Sequence, residues 1–168
     1  MSGAWSLRLA RSEDASAFHR VEEDAADLLR SAPELANTAI PPSQSKQDYA
    51  RLIRRGHCLS AVAGDEIIGF AAAAPKGREL HLHELSVARS WQRRRVGATL
   101  LEALGIDARN SGFRAITLTT FRDLAWNAPF YAAHGFVEVT NGEGEEDDGA
   151  IEDGAPDLPR CAMIRLLD

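Results

Sequence analysis

The chain has 168 residues, of which 45% are hydrophobic and 26% charged, with a formal net charge of -6. That length suffices for one domain with its own core, and the balance excludes a disordered or fibrous chain. No apolar run approaches the roughly 18 to 20 residues of a membrane span, and no basic segment followed by an apolar stretch opens the sequence, so a cytoplasmic location and no membrane partner are expected.

Residues 7–10 read as a short strand, after which Ser12 is placed to cap a helix with Glu13 and Asp14 in its first turn. Ala15, Phe18, Val21, Ala25 and Leu28 recur at helical spacing, which predicts one core face and one acidic face. Prolines at 33, 41 and 42 make 31–43 a loop, followed by a helix from about Ser45 to Arg55 that Gly56 ends. Residues 58–63, Gly64-Asp65 and 67–74 read as a hairpin, and Leu80, Leu82, Leu85 and Val87 mark another strand. Leu100, Leu101, Leu104 and Ile106 predict a helix from Val96 that Gly112 closes. Residues 115–120 alternate as a strand, 127–134 form a short helix, and 136–139 and 161–167 are the last strands. Residues 141–159, rich in glycine and acid, read as a long mobile loop. Cys58 and Cys161 lack zinc or thiol-exchange spacing and are expected to be buried and reduced.

Strands alternating with helices predict a mixed α/β domain over residues 1–168. Its most informative segment is Gln92-Arg93-Arg94-Arg95-Val96-Gly97-Ala98, between a strand and a helix. A helix N-terminus offers unpaired N–H groups and a partial positive charge to phosphate. Small residues at 97 and 98 let a ligand approach the backbone, and the arginines add charge-assisted bonds. The segment matches neither GxxxxGK[ST] nor GxGxxG. The bland alternative is a solvated arginine face with Gly97 allowing close helix packing.

This segment resembles the [Q/R]xxGx[G/A] loop of the GNAT N-acetyltransferases, with Gln92, Gly97 and Ala98 in frame and Arg95 where that family usually has its first glycine. The resemblance implies a GNAT fold: a mixed, mostly antiparallel sheet of about six or seven strands flanked by about four helices. It implies acetyl-CoA as co-substrate, held by Gln92, Arg93, Arg94, Arg95, Val96, Gly97, Ala98 and Thr99, with Leu85, Ser86 and Val87 along the pantetheine arm. The Leu85 N–H would polarise the thioester carbonyl. Tyr131-x-x-x-Gly135-Phe136 is similar to the family's helix-to-strand signature, whose tyrosine sits beside the departing thiol. The family's asparagine earlier in that helix falls at Leu124, so that contact is either missing or moved to Asn127. Alternatively, Tyr131 is simply a core aromatic.

An amine arrives protonated and attacks only when neutral, so a proton acceptor is needed. His81-Leu82-His83 supplies two imidazoles on one strand face, and the run through Val87 resembles arylalkylamine N-acetyltransferases, where a His-x-His pair relays the proton through water. Simple alternation puts Glu84 on the opposite face, unless a bulge re-aims it, so it is the reserve base. The bland alternative is that the histidines are solvent-facing or hydrogen-bonded sheet residues, and no third ligand at useful spacing suggests a metal. Glu22, Glu23, Asp24 and Asp27, with the acids between 143 and 153, would draw a cationic amine or form solvated faces. The expected activity is acetylation of a primary amine, most simply a small molecule, by direct attack in a ternary complex; a protein N-terminus or lysine is the rival acceptor, and a coenzyme A-binding module without turnover the alternative from another class. The arginines at 51–55 and 89–95 suggest local sites rather than nucleic-acid binding, and the resemblance also implies that subunits can pair as a homodimer.

Overall fold

A computed structural model describes residues 4–33, 43–122, 124, 127–139 and 160–167. Seven strands form one sheet in the order β1-β2-β3-β4-β5-β7-β6. They are β1 (Ser6–Leu9), β2 (Leu59–Ala63), β3 (Glu66–Lys76), β4 (Glu79–Val87), β5 (Ala115–Phe121), β6 (Val137–Glu138) and β7 (Arg160–Leu166). The helices among the described residues are α1 (Ala15–Ser31), α2 (Lys46–Arg54), α3 (Val96–Asn110) and α4 (Ala128–Ala133). All strand pairs are antiparallel except β4 with β5, the pair that α3 connects. A parallel pair needs such a crossover. The predicted loop over 31–43 and the acidic loop over 141–159 fall largely or wholly outside the described residues.

The sheet has a core on each face. On one, Phe18 of α1, Tyr49 of α2 and Phe70 of β3 form an aromatic cluster, with Phe18 and Phe70 stacked 4.2 Å apart. On the other, α3 buries Leu100, Leu101 and Leu104 against Leu80, Leu82, Ile116 and Met163 of the strands. Ile106 does not join that face: it is 58% exposed, whereas Ala108, four residues after Leu104, is fully buried. A helix returns to the same side after three or four residues, not two.

One helix entry differs from expectation. Ser12 does not cap α1. Residues 12–14 form a 3-10 turn instead, and the Asp14 carboxylate accepts from the Arg11 N–H at 2.9 Å. α2 is capped by Ser45, whose Oγ accepts from the Asp48 N–H at 3.0 Å.

Candidate active site

The sheet opens at its centre. β4 and β5 are in register only from Glu79 with Ala115 to His81 with Thr117, although β4 runs on to Val87 and β5 to Phe121. Beyond His81 the edge of β4 that faces β5 has no ladder to it, which leaves backbone N–H and C=O groups available to an extended ligand.

A bulge in β4 then decides which side chains face which layer. Opposite β3, Leu82 pairs with Ala73 and Glu84 with Ala72, so His83 is the extra residue. Such an insertion resets the alternation. Leu80 and Leu82 belong to the α3 core, and after the bulge it is Leu85 and Val87 that pack against it. Glu84 thereby joins the face of α1 and α2 with His81, rather than the opposite face given by unbroken alternation. Its surroundings agree: its charge acts on Tyr49 of α2, it feels the charge of Glu22 of α1, and Ser86 Oγ donates to its Oε2 at 2.6 Å.

β4 hands over to α3 through a loop held at both ends. Gln92 Nε2 donates to the Val87 carbonyl at 2.8 Å, and Arg94 lies 4.7 Å from the centre of the Trp91 ring. Arg93 and Arg95 have φ of 66° and 62°, the left-handed region that favours glycine. Arg95 therefore adopts the conformation that a glycine would take at no steric cost. The first helical bond of α3 runs from the Thr99 N–H to the Arg95 carbonyl at 3.0 Å, and Arg95 gives no side-chain cap. The N–H groups of Val96, Gly97 and Ala98 thus remain for a ligand, and the exposed Arg93, Arg94 and Arg95 directly precede them, with Arg95 pairing with Glu102 at 3.6 Å. Thr99 Oγ1 turns back to the Arg95 carbonyl at 2.8 Å. A Cβ on Gly97 would come no closer than 3.7 Å to Val87 Cγ2, so the fold itself has room for alanine there.

Tyr131 is buried in α4, packed edge-on to Phe136 and Phe130. Burial, and secondarily the Glu84 charge, pushes its hydroxyl well above the ordinary range, so it stays protonated. Asn127, directly before α4, accepts from Thr120 Oγ1 at 2.7 Å, while Leu124 is buried. Burial first, then the neighbouring Glu22 charge, raises the Glu84 carboxyl to about 8 against the lowering effects of Ser86 and Arg160. His81 is driven the other way, to about 4, by burial and then by His83 and Lys76. Its Nδ1 is 2.8 Å from Thr117 Oγ1, and its ring lies edge-on to His83 at 4.8 Å. His83 is more exposed, and its own value is lowered by partial burial and by Lys76.

The acids of α1 are differently employed. Glu22 is raised by burial despite accepting from the Tyr49 hydroxyl at 2.5 Å and the Gln44 N–H at 3.0 Å. Asp24 accepts from the Arg89 N–H at 2.7 Å, and Asp27 pairs with Arg89 and Arg30. Glu23 is exposed on the helix, and the acids between 143 and 153 lie outside the described residues. A cavity of about 980 Å³ beside His81 and His83 is walled instead by Arg51, Arg54, Arg55, Lys76 and Arg160, with Asp48 its one carboxylate among the described residues. Sequence reasoning missed Tyr49 and Arg160. The signal for Tyr49 was its i,i+4 spacing with buried Ile53; Arg160 comes from the far end of the chain and carries no local signal.

Residues 22–136, well over half the chain, match the acetyltransferase (GNAT) family, and the chain belongs to that family. Its fold is similar to the ribosomal-protein-S18-alanine N-acetyltransferase of Escherichia coli, at TM-score 0.74 and 17% identity over 98% of this chain and 95% of that one. It is also similar to the PaiA N-acetyltransferase of Thermoplasma acidophilum solved with coenzyme A, at 0.69 and 17% over 97% and 99%. The N-acetylglutamate synthase of Neisseria gonorrhoeae, solved with coenzyme A and N-acetyl-glutamate, aligns at 0.68 and 16% over 98% of this chain and 35% of that longer one.

Proposed function

We propose that this protein transfers the acetyl group of acetyl-CoA to a primary amine of a small molecule, by direct attack in a ternary complex. The observation that carries this reading is the opened β4–β5 seam together with the His83 bulge, which sends Leu85 and Val87 to the α3 side and Glu84 to the other. Acetyl-CoA would lay its pyrophosphate on the free amides of Val96, Gly97 and Ala98, with the arginines of 93–95 on its oxygens. Its pantetheine would run along the unpaired edge of β4 past Ser86 and Val87. The acetyl carbonyl then meets the Leu85 N–H, which would stabilise the oxyanion of the tetrahedral intermediate.

Magnitudes choose the base. Taking a proton from an ammonium near pKa 10.4 costs a carboxylate at about 8 roughly 3 kcal/mol, but costs an imidazole at about 4 roughly 9 kcal/mol. Glu84 is therefore favoured over His81 as the base in this reading, and His83, the more exposed imidazole, stands with His81 on the acceptor side. Tyr131 stays protonated and donates a hydrogen bond to the departing thiolate; its raised value opposes complete transfer. Glu84 takes one proton from the ammonium before attack; the neutral amine then forms the C–N bond as the C–S bond breaks, and the second nitrogen proton goes to the departing thiolate, so that coenzyme A leaves as the free thiol.

An amine screen followed by thiol release tests the transfer. With a working amine, Tyr131→Phe lowers kcat by about 10- to 100-fold, the worth of one hydrogen bond to a charged group, and leaves acetyl-CoA affinity unchanged. Unchanged kcat removes Tyr131 from the mechanism.

A further inference from the structure

We infer that the acceptor amine carries an anionic group, a carboxylate or a phosphate, which the basic cavity beside β4 holds while the amine faces Glu84. The inference rests on the acetyl-transfer reading and specifies its acceptor. The cavity lies on the α2 side of the sheet, the face to which the bulge turns Glu84. Arg51 is engaged by Asp48, whereas Arg54, Arg55 and Lys76 have no carboxylate partner among the described residues. Cations in the last turn of a helix such as α2 are ordinary, because they complement its dipole. Lys76 and Arg160 are not explained that way: they come from the end of β3 and the start of β7, and converge on the same space.

Three elements thus supply positive charge to one concave site in a protein whose net charge is -6. Such a cleft concentrates anions and repels a bare polyamine. Arg160 ties the cavity to the chemistry, since its charge also acts on Glu84. With His81 and His83 neutral at pH 7, the charge comes from arginine and lysine, whose forked or triple donors suit carboxylate and phosphate oxygens.

The test compares matched amines in pairs: the L-amino acids against their α-amides, 4-aminobutyrate against its amide, and phosphoethanolamine against ethanolamine. The anionic member of at least one pair should exceed its neutral partner in kcat/KM by roughly ten- to a hundredfold, the worth of one or two charge-assisted bonds. Which pair responds distinguishes carboxylate from phosphate. Arg54→Gln with Arg55→Gln should shrink that ratio through KM, while Arg109→Gln, at the far end of α3, leaves it unchanged. Neutral amines matching or exceeding their anionic partners overturn the inference. If acetyl-CoA binds but no amine is acetylated, the transfer reading fails on its own. Calorimetry of the coenzyme A-saturated protein with glutamate, phosphoethanolamine and inorganic phosphate then decides the cavity: binding weakened by the double variant supports an anion site, and no binding overturns it.

Discussion

Asp14 joins three elements through one carboxylate. It accepts from Arg8 of β1 at 2.7 and 3.1 Å, from the Arg11 N–H at the entry to α1, and from Ser60 of β2 at 2.9 Å. Burial alone would raise its pKa, but these donors outweigh it and hold the carboxyl below its ordinary value. A depressed folded value means stability that is present above the unfolded pKa of about 3.9 and is lost as pH falls through the folded one. Asp14→Ala should cost about 2 kcal/mol in urea unfolding at pH 7, and the cost should shrink below about pH 4. Equal midpoints for the two proteins at pH 7 would refute this. Arg95 raises the opposite case, a residue whose backbone opposes its side chain. A non-glycine residue at φ of 62° costs about 1 to 2 kcal/mol, so Arg95→Gly should be more stable than Arg95→Ala by about 1 kcal/mol. A difference of the other sign would place the strain elsewhere. Glu84 gives a pH signature: kcat/KM rises as its proton leaves, through about pH 8. Glu84→Gln should abolish that limb and leave only the substrate amine's own; an unaltered profile would return the role of base to the histidines.

At the scale of the element, the handover from β4 to α3 is where stability and binding part company. Gly97 sits in the first turn of α3, and a methyl there meets only ordinary contacts at 3.7 and 3.9 Å. Alanine favours a helix over glycine by up to about 1 kcal/mol, so Gly97→Ala should keep or raise the unfolding midpoint while weakening acetyl-CoA binding about tenfold or more. If the variant binds as tightly as its parent, acetyl-CoA does not need the bare backbone at Gly97. Gly69 is the contrast, for its added Cβ would come within 3.1 Å of the Ser86 carbonyl and 3.2 Å of Val96 Cγ1. The strand–loop–helix handover proposed to hold phosphate was legible as a local arrangement because a strand, small residues and a helix are neighbours in sequence. The facing of β4 was not: a bulge is set by the partner strand, and nothing in the sequence of β4 alone, from Glu79 to Val87, shows that β3 skips His83.

Across the whole molecule, the alternation of strands and helices in the second half reached only the mixed α/β class, the mostly antiparallel sheet having come from the resemblance carried by residues 92–98 and 131–136, while the glycine-containing turn and cap positions bounded most elements to within a residue or two. The charge of the acceptor side could not be read that way. Arg54, Lys76 and Arg160 are distant in sequence and meet only because β3, β4 and β7 share a sheet with α2 packed across it, and the acids of α1 that stood out in sequence are in part taken by Arg89 and Tyr49. The central claim concerns the other side of β4: that the open amides of α3 hold the pyrophosphate of acetyl-CoA. Calorimetric titration of the protein with acetyl-CoA, and separately with S-acetyl-pantetheine, tests it most directly. The account predicts micromolar binding of the first and at least about a hundredfold weaker binding of the second, which lacks the pyrophosphate; equal affinities, or no heat with acetyl-CoA, would contradict it.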